Sequence, residues 1–302
     1  MPSFVVLEDR GVLAISGPER RSFLQGLISN DSERVTPETA RYGALLTAQG
    51  RYLHDFVLVD AGEALWLDCE SARLSDLKRR LLIYRLRAKV ALDERSDLAV
   101  AAVFGEDACA VFDLPPQPGA ARPFAGGLAL VDPRLPALGV RVLLPREAMR
   151  PALAAKGLAA ADFAAYDRLR LALGVPDGSR DLTPEKSLLL EAGFDELNGI
   201  DWHKGCYIGQ ELTARTKYRG LVKRRLFPVR IDGPAPAPGT PVLAEGREVG
   251  EMRSARDGLG LALLRLEAVG EGRRLAAGSA AIAPTRPAWM RLDESAPSDS
   301  AG

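Results

Sequence analysis

Apolar residues recur along this chain at two periods. Residues 11–15 form a short apolar run after a charged turn and predict a strand; residues 44–46 and 52–59 predict two more, joined by a turn at Gln49-Gly50. Phe23, Leu24, Leu27 and Ile28 fall at helical spacing behind Ser16-Gly17-Pro18-Glu19. A serine shortly before a proline, with an acid in the first turn, predicts a helix start there, and Asn30-Asp31 is expected to close the helix. Over residues 71–84, Leu74, Leu77, Leu81 and Leu82 alternate with Arg and Lys as in an amphipathic helix. Residues 90–92 and 98–104 read as strands, and residues 146–157 and 160–173 as helices, the second ending at Gly174.

Between these elements the pattern breaks in three places. Residues 113–127, rich in Pro, Gly and Ala, predict a loop or a boundary between subdomains. Residues 180–209 are irregular, with many Gly, Asp and Asn, and are where functional residues are expected. Residues 232–239 read as a linker, after which short apolar pieces separated by Gly turns predict a small antiparallel β-barrel. Helices and strands mix without βαβ alternation and no Gly-x-Gly-x-x-Gly follows a strand, so the fold class is α+β. The expected domains are a body at 1–225 made of two subdomains, a barrel at 226–292 and a disordered tail at 293–302.

Composition narrows the function. Forty basic and forty acidic residues cancel, without the basic excess of a general nucleic-acid binder. The first residues show no targeting pattern and no apolar run reaches membrane-helix length, so neither nucleic acid nor membrane is an expected partner and the expected compartment is the cytoplasm. Three widely spaced cysteines and two histidines supply neither a disulfide framework nor a self-contained metal site.

The chemistry concentrates in Lys204-Gly205-Cys206-Tyr207-Ile208-Gly209-Gln210-Glu211. Two glycines flank a thiol, allowing tight turns and close approach. Lys204 and His203 are candidates to favour the thiolate, and Gln210 and Glu211 add hydrogen-bonding groups. By residue type alone, Cys206 reads more readily as a small buried apolar side chain than as a reactive thiol. The octapeptide resembles the signature of the YgfZ family, the folate-binding branch of the aminomethyltransferase (GcvT-like) superfamily. Further blocks resemble that family at residues 13–31, 46–51, 84–90, 184–198 and 249–254.

The resemblance implies a GcvT-like folate-binding body of two α+β subdomains with a C-terminal small antiparallel barrel. It implies binding of tetrahydrofolate or a one-carbon derivative, and partners among iron–sulfur client or assembly proteins. Cys206 and Lys204 would carry the activity; Glu191, Asp55, Tyr207, Gln210 and Arg215 would surround the folate. Glu191 corresponds to the glutamate placed on the pterin ring, and a carboxylate can accept two parallel N–H bonds from that edge. The aminomethyltransferases carry an Asp-Asp pair where this chain has His54-Asp55, which puts aminomethyl transfer in doubt. The alternative reading is a folate-dependent aminomethyltransferase or demethylase of a small amine, with Asp55 as its acid. The basic run Arg215, Lys217, Arg219, Lys223, Arg224, Arg225 suits a folate glutamate tail, an acidic partner or plain solvation.

Overall fold

The computed structural model describes residues 1–270 and 273–292; the expected tail at 293–302 lies outside the described residues. In chain order the first half contains β1 (Ser3–Val6), β2 (Arg10–Ser16), α1 (Arg20–Gln25), β3 (Arg41–Leu46), β4 (Tyr52–Asp60), β5 (Ala64–Glu70), α2 (Leu74–Arg85) and β6 (Ala91–Glu94). There follow β7 (Leu98–Phe104), β8 (Ala121–Phe124), β9 (Gly127–Val131), β10 (Val140–Pro145), α3 (Arg146–Ala155), β11 (Ala159–Ala160) and α4 (Phe163–Leu173). One sheet runs β3-β4-β5-β2-β6 and the other β11-β1-β7-β10-β9-β8.

The period of two along each strand explains why these sheets pack face to face with helices outside. On β2, Val12 and Ala14 join the core between the sheets, while Leu13 and Ile15 join a second core with Phe23 and Leu24 of α1 and Leu77 and Leu81 of α2. On β7, Val100 and Ala102 face the inter-sheet core, and Ala99, Ala101 and Val103 face Met149 and Leu153 of α3. A one-residue slip would turn every apolar side chain to the wrong layer, so burial itself sets the register. Each fully buried Val, Leu or Ile contributes about 1.5–3 kcal/mol.

Several elements depart from the periodicity. α1 starts without a side-chain cap from its preceding residue and ends at Gly26, short of Asn30. Asn30 instead donates its side-chain amide to the carbonyls of Tyr42 and Asn198. Leu82 lies outside the apolar stripe of α2 and is exposed. The stretch expected to be loop contains β8, paired with β9. The helix expected from 160 begins at Phe163, because Ala159–Ala160 pairs with β1 and Asp162 caps α4 by accepting from Ala164 N at 3.1 Å.

A buried ion chain ties the two sheets together. Arg10 of β2 holds Asp68 of β5 at 2.7 Å, Arg141 of β10 bridges Asp68 to Asp132, and Arg134 closes on Asp132 at 2.8 Å. Burial opposes ionisation of Asp132, but its two arginines outweigh it and hold the carboxyl well below the usual range.

After α5 (Gly178–Asp181) and α6 (Gln210–Tyr218) come β12 (Arg224–Asp232), β13 (Pro241–Ala244), β14 (Arg247–Arg256), β15 (Leu259–Arg265), β16 (Leu275–Ala277) and β17 (Ala280–Pro284). They close as a six-stranded antiparallel barrel in the order β12-β15-β14-β13-β16-β17, filled by Phe227, Val229, Met252, Leu264 and Ile282. Closure leaves no sheet edge exposed. A buried cluster fastens barrel to body: Arg170 of α4 reaches Asp167, Asp181 and Ser254 of β14. No helix among the described residues is long and apolar enough to cross a membrane.

Candidate functional site

The irregular segment closes the inter-sheet core. Leu189, Leu190, Ala192, Phe194, Leu197, Ile200 and Tyr207 all enter that core. Around Ile200 the chain is also held to the body by polar contacts. Ser29 donates to the carbonyl of Gly199 at 2.6 Å and accepts from Ala44 N at 2.8 Å. Asp201 Oδ1 accepts from the backbone N–H groups of His203 and Lys204, a local turn that replaces regular structure.

Lys204 then folds back instead of turning to the thiol. Its ammonium donates to the carbonyls of Gln25, Ile28 and Asn30 at 2.8, 2.7 and 2.7 Å, and it sits 5.2 Å from the centre of the Tyr207 ring. All its donors are thereby used, so the expected role as activator of Cys206 is replaced by that of a clamp. Burial pulls its pKa down to about 8, against Asp31 and Asp201, which leaves it charged at neutral pH.

The other side of the motif is fixed by backbone proximity. Ile208 N donates to Gly26 O at 3.1 Å, and the side chain of Gln210 accepts from Tyr207 N at 3.1 Å. Gly209 has φ +80°, and a Cβ there would lie 2.5 Å from the Thr47 carbonyl oxygen and 3.0 Å from Gly50 Cα. Only glycine fits that contact between the motif and the β3–β4 turn. Between these two anchored ends, Gly205 and Cys206 are exposed, and nothing lies within 4 Å of a Cβ built on Gly205. Cys69, by contrast, is buried and its thiol is pushed well up by desolvation. Cys109 is half-buried, so of the three thiols that of Cys206 is the exposed one, on a braced loop. Among the described residues, no group of three or more His, Cys, Asp or Glu is disposed to hold a metal.

The residues expected around a folate do not converge. Asp55 is buried, with its carboxylate accepting from Tyr42 Oη at 3.0 Å and Tyr52 Oη at 2.7 Å. Burial and then Asp55 push both phenols well above their ordinary pKa, so they remain donors. His54 is buried against Asp76 at 2.9 Å, and desolvation, then Arg73, pull its pKa down to about 4. Tyr207 belongs to the core, its phenol pushed up to about 12 by burial. Gln210 is spent on the loop, and Arg215 lies exposed on α6.

Glu191 lines a recess, of about 210 Å³ with its open mouth, together with Asp181, Ser187, Leu226, Arg253 and Leu263. Its carboxylate already accepts from Arg224 Nε at 3.1 Å and Nη2 at 3.4 Å. The donor set thus fits one end of a pterin: an acceptor pair, occupied by a half-exposed arginine. With Arg224 in place the recess is shallow and open to solvent, with enclosed room for about one water and none for a whole folate. Ser29, Asp201 and Tyr42 lie outside the residues the sequence marks for the site, and Arg224 is marked only as part of a basic run, not as the partner of Glu191. Apart from the local turn at Asp201, their roles depend on contacts between separate segments of chain, which no local pattern encodes.

Comparison with known proteins adds four findings. The family profile described as the CAF17 C-terminal beta-barrel domain matches residues 223–292. Iron-sulfur cluster assembly factor IBA57, mitochondrial, of Homo sapiens is 37% identical, over 87% of this chain and 77% of that protein. The homologue of that factor in Pyricularia oryzae is 33% identical, over 87% of this chain and 72% of its own length. Glycine cleavage system aminomethyltransferase T from Bartonella henselae superposes with a TM-score of 0.76 at 16% identity, covering 94% of this chain and 84% of its own. At that identity the last likeness shows the fold alone: a GcvT-like body with a closed C-terminal barrel.

Proposed function

The chain belongs to the family of the iron–sulfur cluster assembly factor IBA57, and from that premise we propose that it acts in iron–sulfur cluster assembly through the thiol of Cys206. The YgfZ family, which the motif resembles, is a related family and not the one to which the chain belongs. The observation that carries the proposal is an exposed thiol on a loop braced at both ends, with no group of three or more metal-ligating side chains among the described residues to hold a cluster unaided. An iron–sulfur cluster needs about four ligands. Cys206 therefore supplies one ligand to a cluster whose other ligands come from a partner, an assembly or client protein.

Tetrahydrofolate has a narrower place in this reading. Glu191 would hold the pterin edge once Arg224 is displaced, and Asp55, Tyr207 and Gln210 are engaged elsewhere. When bound, a folate would offer a one-carbon unit. A transferase reading needs an acid open to substrate, and both oxygens of Asp55 are taken by buried tyrosines. The relatives are named mitochondrial; fractionation of the source cells tests the compartment of this chain.

Replacing Cys206 by Ala in cells that depend on this chain tests the proposal. Loss of cluster-dependent enzyme activity with normal amounts of folded protein is the expected outcome. Full rescue by Cys206→Ala would overturn it.

A further inference from the structure

We propose that the face flanking Cys206 is a docking surface for an acidic protein that brings the remaining thiolate ligands of the cluster. This rests on the reading of Cys206 as a single cluster ligand. The large apolar side chains left exposed on the described residues are unevenly placed. Apart from Met1 and Leu243, they are Leu82, Ile83, Tyr84 and Leu86 at the end of α2, and Tyr218 and Leu221 at the end of α6. Concentrated apolar exposure of this kind marks interaction surfaces.

Both segments connect to the Cys206 loop through short runs of contacts, the first along the length of α1. Lys89, just after α2, donates its backbone N–H to Glu19 at the start of α1, and Ile208 donates to Gly26 at its end; that helix spans about 9 Å. On the other flank, Trp202 precedes Cys206 by four residues and meets the Tyr218 ring edge-on, with centroids 6.1 Å apart. Lys217 lies 4.0 Å from the centre of the Trp202 ring.

Backbone strain points the same way. Leu86 has φ +41° and yet is 87% exposed, so no burial of its own offsets a conformation that branched L-residues rarely adopt. Charge decides the class of partner. Arg85, Arg87, Arg215, Arg219 and Lys223 are exposed and form no ion pair among the described residues. A thiolate-ligated cluster is itself an anion, so a basic rim suits both the cluster and an acidic protein around it.

The test uses the purified chain and two short fluorescent peptides with spaced leucines, one rich in Glu and one rich in Lys, plus a single-stranded DNA of similar length. Binding is read by polarisation for wild type, Tyr84→Ser/Leu86→Ser, Tyr218→Ser/Leu221→Ser and Arg215→Glu/Arg219→Glu. All substitutions are at exposed positions, and thermal melting checks that the variants fold. The acidic peptide is expected to bind wild type in preference to the other two probes and to lose about tenfold in each variant. Equal binding of the Lys-rich peptide, preference for the DNA, or indifference of the variants would overturn the proposal. The same variants and Cys206→Ser are then compared in rescue of cluster-dependent enzymes. Failure of the surface variants alongside Cys206→Ser supports the docking surface. Full rescue by the surface variants alone sinks that surface and spares the role of Cys206, whereas full rescue by Cys206→Ser sinks the parent reading.

Discussion

Replacing Lys204 by Met separates two roles for the lysine in the signature motif. If the ammonium activates the neighbouring thiol, the change alters the pH dependence of Cys206 reactivity and leaves stability nearly untouched. The structure assigns it three carbonyl acceptors at 2.7–2.8 Å instead. Hydrogen bonds from a charged donor are worth about 1.5–3 kcal/mol each, but such values do not add at one centre. The site is half-buried, so water can recover part of the loss at the stranded carbonyls. A net destabilisation of about 3 kcal/mol follows, from an isosteric loss of charge with the side-chain stem retained. Urea unfolding of wild type and Lys204→Met at neutral pH measures it, and a chromogenic disulfide titrated over pH reads the thiol. The expected result is a lower midpoint with little change in the thiol's pH profile. A loss under about 1 kcal/mol together with a displaced thiol profile would refute the clamp.

Three further outcomes follow from the same geometry. The pKa of His54 is lowered by burial to about 4 from an unfolded value near 6.5, so unfolding takes up a proton between those values. Its contribution is complete above the unfolded pKa and is lost as pH falls through that window, on the order of 2 kcal/mol; His54→Gln should flatten urea midpoints compared at neutral and mildly acidic pH. Asp55→Asn leaves one acceptor oxygen for two tyrosine hydroxyls, costing about 1–3 kcal/mol of stability; rescue of cluster enzymes should survive it, and a specific loss of activity in a stable variant would restore an acid's role. Calorimetry with tetrahydrofolate should show binding that weakens about tenfold, near 1.4 kcal/mol, in Glu191→Ala; no micromolar binding by wild type would remove folate from the reading while leaving Cys206 untouched.

Much of the fold was legible because it is written in local periods. Alternating apolar positions in β2 and β7 and the Leu77–Leu81 pair of α2 declare which face is buried, and Gly turns after residue 239 declare a run of short strands. The motif around Cys206 was legible as a segment for the same reason: its residues are contiguous. The use that segment makes of its side chains was not. Lys204 pairs with carbonyls nearly 180 positions earlier, Asp55 is satisfied by tyrosines on β3 and β4, and Glu191 meets an arginine on the first barrel strand. Hydrogen bonds act over about 3 Å in space with no regard to separation along the chain. Residue type therefore announced which groups carry chemistry, while only the packing of sheets, loop and barrel decided which of them remain free to use it.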